Sequence, residues 1–153
     1  MIRVEESVCV GLPVPVPVPE LEFATMNLFD HEKLDVYNAA IEFVAHANEI
    51  VEQLPRGRGY LADQLQRAAT SVVLTIAEGA GEFSGSEKAR FYRMAKRSAT
   101  ECAAILHVCA RLALLDDPTH QAGRELLLRI VSMLIQRVRR LDESGTGTGT
   151  GTK

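Results

Sequence analysis

Apolar residues recur every three or four positions over four long stretches of this chain, with polar residues filling the gaps. That period belongs to the α-helix, which gathers such positions onto one face. The spacing predicts a first helix over about residues 31–54. Tyr37, Ala40, Val44, Ala47, Val51 and Leu54 form its inner face, and Asp35, Glu42 and Glu49 line the opposite one. The run LPRGRG ends it, because a proline and two glycines break the period. A second helix is expected over about residues 60–80, with Leu61, Leu65, Ala68, Val72 and Ile76 as its core stripe. Beside that stripe Gln64, Arg67, Ser71, Thr75 and Glu78 repeat at helical spacing as a narrow polar band.

A third helix is expected from Ser84, because Ser84-x-x-Glu87 fits a capping box: the hydroxyl accepts from an orphan N–H and the Glu side chain reaches back. Phe91, Ala95, Ser98, Cys102, Ile105 and Cys109 then face inward, and the pattern fades near Leu115. The fourth opens at DDPT, where Asp117 can cap and Pro118 suits the first helical position. Its core face is Leu127, Ile130, Val131, Leu134, Val138 and Leu141. There is no strand signal. Four helices with short connections predict an all-α, antiparallel up-down-up-down four-helix bundle over residues 28–142.

The ends read differently. Pro13, Pro15, Pro17 and Pro19 alternate with valines, so residues 1–27 are expected to form an extended N-terminal extension, with a polyproline-type ligand as one use. Met26 offers an alternative start just before the patterned region. The Gly/Thr repeat of residues 143–153 has nothing to bury and is expected to be disordered.

Between helices two and three lies TIAEGAGEFSGSEKARF, rich in glycine and serine. A phosphate-binding loop would need G-x-x-x-x-G-K-[ST] after a strand, and the position five beyond Gly79 is Ser84. The dinucleotide fingerprint lacks its third glycine. The stretch therefore reads as a joint, with Gly79 and Gly81 as helix-ending residues able to take φ > 0. Glu78 follows an apolar run, where a buried carboxylate needs partners. Arg67, Ser71, Glu78, Ser98 and Glu101 are candidates for a structural polar network that fixes helix register. The sharper alternative is a partner-binding or catalytic acid, and the catalytic role would require a pocket joining Glu78, Ser98 and Glu101.

Composition narrows the classes further. No apolar run reaches the roughly 20 residues of a membrane span, and the acidic, proline-broken start makes a poor signal peptide. Cys9, Cys102 and Cys109 have no metal-ligand spacing and suit a reducing cytoplasm. Glu42-x-x-x-His46 is the wrong spacing for a di-iron bundle, and His31, His107 and His120 lack ligand-spaced companions, so no metal or cofactor is expected. No nucleophile and base stand together, and the expectation is a protein that is not an enzyme.

Charge is uneven. Residues 1–55 hold ten acids and two bases, a charge of −8, and the remainder holds fifteen bases and ten acids, +5. Arg93, Lys96 and Arg97, continued by His107 and Arg111, form a basic stripe on helix three. Arg129, Arg139 and Arg140, with Arg137 at the flank, form another on helix four. Such rows neutralise phosphates, so RNA or DNA is a candidate partner; a single stripe is more often a plain solvated face. Helix four also carries Leu126, Leu128, Met133 and Ile135 around its core stripe, an arc wider than one contact demands. A second copy would cover it. The acidic face of helix one and the basic faces of helices three and four are complementary, and head-to-tail pairing of that kind closes into rings. The alternative is an interaction module without nucleic-acid contact, its basic faces used up in the homo-oligomer.

The segments FDHEKLDVYNAAIEF, LADQLQRAATSVVLTIAEGAG and FYRMAKRSATECAAIL resemble successive motifs of a family of small bacterial four-helix-bundle proteins. The family includes proteins encoded in intervening sequences of 23S rRNA genes and accessory proteins of diversity-generating retroelements. The Ser71, Ile76, Ala77, Glu78, Gly79 core carries the resemblance. Relatives usually have Asn at the position of Thr75 and often Gly at that of Arg97. The resemblance implies an antiparallel bundle assembled into a five-membered ring. For the retroelement branch it implies a basic surface that binds nucleic acid and a reverse transcriptase; for the ribosomal branch it implies little beyond gene location, with a ribosomal component as a candidate partner.

Overall fold

The computed structural model describes residues 27–145. They form four helices, α1 (Asp35–Gln53), α2 (Gly59–Gly81), α3 (Gly85–Arg111) and α4 (Asp117–Gly145), with no strand among the described residues. The proline-rich extension up to residue 26 and the Gly/Thr repeat from residue 146 lie outside the described residues. Residues 143–145, expected in the tail, complete the last turn of α4.

Each helix packs against two others: α1 against α2 and α4, and α3 against the same pair. The four stripes meet in one core. Phe43 and Ile50 of α1, Leu65 and Ile76 of α2, Leu106 of α3, and Ile130 and Leu134 of α4 are all buried there. The core is mostly aliphatic, with Phe43 and Tyr92 its buried aromatic residues among the described ones.

α1 departs from expectation in two ways. It starts at Asp35 rather than near residue 31, because the preceding residues turn: the Leu34 N–H donates to the His31 carbonyl and the Phe29 N–H to Glu32 Oε2 at 2.7 Å. Its inner face is also rotated. Val36, Ala39, Ala40, Phe43, Ala47 and Ile50 are buried, whereas Tyr37, Val44, Val51 and Leu54 sit partly buried at the edge. Ala40 and Ala47 belong to both series, and at 100° per residue the centres of the two faces lie about 60° apart. Contact with two neighbours buries a broad arc, and the period alone does not mark its centre.

The helix ends are set by local donors and acceptors. At α3 the Glu87 N–H donates to Ser84 Oγ at 3.5 Å, while the Glu87 carboxylate accepts from Arg90 Nε at 3.0 Å instead of reaching back. Only half of the capping box forms. α3 stops at Arg111, where Ala113 takes φ 54° and the Leu114 N–H donates to the Cys109 carbonyl at 2.9 Å. α4 is capped by Asp116, one residue earlier than expected: its Oδ1 accepts from the Thr119 N–H at 2.7 Å.

The glycines of the α2–α3 joint also need correction. α2 remains helical through Gly81, and among the described glycines only Gly57 has a positive φ, 87°. Gly79 is there for close packing. A Cβ at that position would lie 2.9 Å from the Phe91 Cβ and 3.0 Å from the Tyr92 ring. Gly123 does the same for α4, where a Cβ would meet Leu106 at 2.7 Å and His46 Nε2 at 3.1 Å. His46 lies 3.0 Å from the Thr119 carbonyl through Nε2, tying α1 to the first turn of α4.

Candidate nucleic-acid interface

The edge of α3 that faces α4 carries Arg93, Lys96, Arg97, Thr100, His107 and Arg111 at steps of mostly three or four residues. Arg93, Lys96, Arg97 and Thr100 together line a groove of about 400 Å³. Arg93 is engaged: its Nη2 donates to both carboxylate oxygens of Asp142 at 2.8 Å. Lys96 and Arg97 are exposed and make no hydrogen bond or ion pair through their side-chain cations with another described residue. Further along, the His107 ring meets His120 of α4 at 5.3 Å between centroids. The two imidazoles and Arg124 share a more apolar groove of about 240 Å³ with Leu127, Leu128 and Val131. Arg111 is exposed in the last turn of α3. The sequence reading missed Arg124, whose place beside His107 depends on how α3 and α4 pair.

The groove of Arg93, Lys96 and Arg97 includes none of the basic residues of α4. Arg129 and Arg140 are eleven residues apart, close to three full turns, and so share an edge. Arg140 lines a cleft with Asp30 and Leu34, which places that edge towards the start of α1. Arg139 is exposed.

The expected polar network forms only in part. Ser71 Oγ and Ser98 Oγ are 2.9 Å apart across α2 and α3, and Thr75 Oγ1 donates to the Ser71 carbonyl at 2.6 Å. Ser98 Oγ also donates to the Met94 carbonyl at 3.4 Å. Arg67, Glu78 and Glu101 are exposed, with no side-chain hydrogen bond or ion pair to another described residue. Arg67 and Glu78 line the same groove, of about 520 Å³, but all its walls come from α2. Eleven residues at 1.5 Å per residue separate them by about 16 Å. Glu78 is therefore solvated, and the cost of burying its charge does not arise. The groove that holds it includes neither Ser98 nor Glu101.

Both described thiols are buried. Burial, and then the neighbouring Glu101 carboxylate, push Cys102 up to about 12, and burial raises Cys109. They serve as small apolar side chains. Among the described residues no three of His, Cys, Asp and Glu come together as metal ligands, and no helix is long and apolar enough to cross a membrane.

These features define a small four-helix-bundle protein with a basic helix edge. The family model described as 23S rRNA-intervening sequence protein matches residues 32–136, from the turn before α1 to late in α4. The chain belongs to that family. Among solved structures it is similar to a protein of unknown function from the S23 ribosomal protein family of Bacteroides thetaiotaomicron. The two are 18% identical with a TM-score of 0.64, over 68% of this chain and 98% of that one, a likeness of fold. No curated protein matches the chain.

Proposed function

We propose that the protein is a non-enzymatic, oligomeric cytoplasmic scaffold that binds RNA or DNA, or a protein that handles them, through the α4-facing edge of α3. One observation carries this reading: Lys96 and Arg97 stand side by side, exposed and without a counter-charge among the described residues, in the groove they share with Arg93. Cations in that state hold mobile counterions, whose release drives binding to a phosphate backbone. The family description, which names 23S rRNA intervening sequences, agrees with an RNA partner.

Cross-helix contacts support the alternating up-down course. Arg93 near the start of α3 meets Asp142 near the end of α4, and His107 near the end of α3 meets His120 near the start of α4. The Ser71–Ser98 and Gly79–Tyr92 contacts relate α2 to α3 in the same sense. Assembly into a homo-oligomeric ring, five-membered as the resemblance implies, is supported by exposed Leu74, Met94, Val108 and Leu128 and by the solvated acids Asp35, Glu42 and Glu49. The apolar arc of α4 contributes less than its sequence suggests, because Leu126 and Met133 pack against the protein's own core.

The test is an electrophoretic shift of structured RNA by wild type and by the Lys96→Gln/Arg97→Gln variant. The variant is expected to lose most of the binding; an unchanged shift would remove this surface. A second reading, an interaction module whose basic faces are used in assembly, is favoured by the Arg93–Asp142 pair, a basic residue already consumed within the fold. It requires that the variant change the oligomer mass in light scattering while RNA binding is absent in both proteins. A monomer mass at micromolar concentration would dispose of the ring.

A further inference from the structure

At one end of the bundle the residues before α1, the end of α2, the start of α3 and the last turns of α4 enclose a cleft of about 270 Å³. Three cations line it, Lys88, Arg137 and Arg140, together with Tyr92 and the apolar side chains of Leu34 and Leu141. Lys88 is fixed in place, because its Nζ donates to the Ala80 carbonyl at 3.0 Å at the end of α2. That leaves further N–H groups of the ammonium to donate. Arg137 and Arg140 make no side-chain hydrogen bond or ion pair with another described residue. Tyr92 is only 3% exposed, and its hydroxyl, which makes no hydrogen bond with another described residue, keeps contact with solvent. Burial raises the phenol above its ordinary value, and the charge of Arg137 opposes that rise. The cleft's one carboxylate, Asp30, is exposed and paired with Lys33 at 3.2 Å.

Like charges gathered in a concavity repel one another, and low-dielectric walls concentrate their field on whatever enters. Two guanidinium forks from α4, and an ammonium and a phenol from α3, supply the donors, a set suited to a compact oxyanion bearing several acceptor oxygens. We propose that this cleft binds a phosphate group. Its donors lie on α3 and α4 but exclude Lys96 and Arg97, so the site does not depend on the RNA-binding edge.

The chain has three tyrosines and no tryptophan. A Tyr37→Phe/Tyr60→Phe protein therefore reports on Tyr92 alone by its fluorescence. Inorganic phosphate titrated at constant ionic strength, with chloride as control, is expected to change that emission saturably. Arg140→Gln, an exposed position, should weaken the apparent affinity about tenfold, the loss of one charge-assisted bond. The double variant Arg137→Gln/Arg140→Gln should abolish saturation, with circular dichroism confirming the helices. A response no larger than that to chloride, or equal saturation in Arg140→Gln, would overturn the proposal. Competition then separates two sources of the same chemistry. Displacement by a nucleoside monophosphate but not by 5′-hydroxyl RNA supports a phosphomonoester, and displacement by that RNA supports a backbone phosphate. Lys96→Gln/Arg97→Gln should leave the titration unchanged, so its outcome is separate from that of the RNA shift.

Discussion

Ala113 takes a left-handed backbone conformation, φ 54°, that glycine adopts without penalty. It reverses the chain after α3 and lets the Leu114 N–H satisfy the Cys109 carbonyl, an arrangement that glycine most often fills. Ala113→Gly is expected to stabilise the protein by about 1 kcal/mol in urea unfolding, and a loss of stability would contradict this account of the turn. Asp116 is the other residue that sets this connection. Hydrogen bonds from the Thr119 hydroxyl and N–H hold its carboxyl below the usual range. A lowered carboxyl contributes stability above its unfolded pKa and loses it as pH falls through the folded one. Asp116→Asn keeps a capping acceptor but removes that dependence. Its melting temperature should fall less than that of wild type between neutral and strongly acidic pH; parallel curves would remove Asp116 as the source. The Asp116–Asp117 pair showed in the sequence that a cap exists here. Which of two adjacent carboxylates reaches the Thr119 N–H depends on backbone angles that the pattern does not encode. Cys102 was legible as a core residue. With its thiol pushed up to about 12 and Cys109 buried with it in the core, thiol reagents should label the two in a Cys9→Ser protein only at the rate of unfolding; fast labelling would contradict their burial.

The helices themselves were plain in the sequence because a 3.6-residue period sustained over twenty or more positions has no competing explanation. Their exact faces were less so, as the rotation of α1 towards Phe43 and Ile50 shows. The glycines were read least well. Gly79 and Gly81 are two residues apart in one Gly-rich stretch, yet the first is pressed against Phe91 and Tyr92, while a Cβ on the second would meet nothing within 4 Å. Gly123 raised no signal at all, although it allows α4 to approach Leu106 and His46. Close approach is a property of two helices, and a single sequence shows one at a time. Gly79→Ala and Gly123→Ala are each expected to cost about 1–3 kcal/mol through overpacking. Gly81→Ala should change stability by less than about 1 kcal/mol. Equal effects at positions 79 and 81 in chemical unfolding would contradict this packing.

For the whole molecule, the charge imbalance between the two ends of the chain was visible from composition, and the structure decides how it is shared out. Arg93 finds its counter-charge 49 residues away, at Asp142. Arg140 goes to the cleft at the bundle end, and Arg129 shares its edge. Lys96 and Arg97 are left facing solvent without an ion-pair partner among the described residues. Of the polar network, the Ser71–Ser98 pair was legible because both hydroxyls fall beside the core stripes; Glu78 was not, because an apolar run before a residue does not say which side of the helix follows it. The central claim is that the unpaired cations of α3 contact phosphates. It is tested most directly by the slope of RNA affinity against salt, measured by fluorescence anisotropy for wild type and Lys96→Gln/Arg97→Gln. Each lost phosphate contact should make the logarithmic slope shallower by about 0.7–0.9, so the double variant should be shallower by nearly twice that. Identical slopes in the two proteins, or an affinity in wild type that does not change with salt, would contradict it.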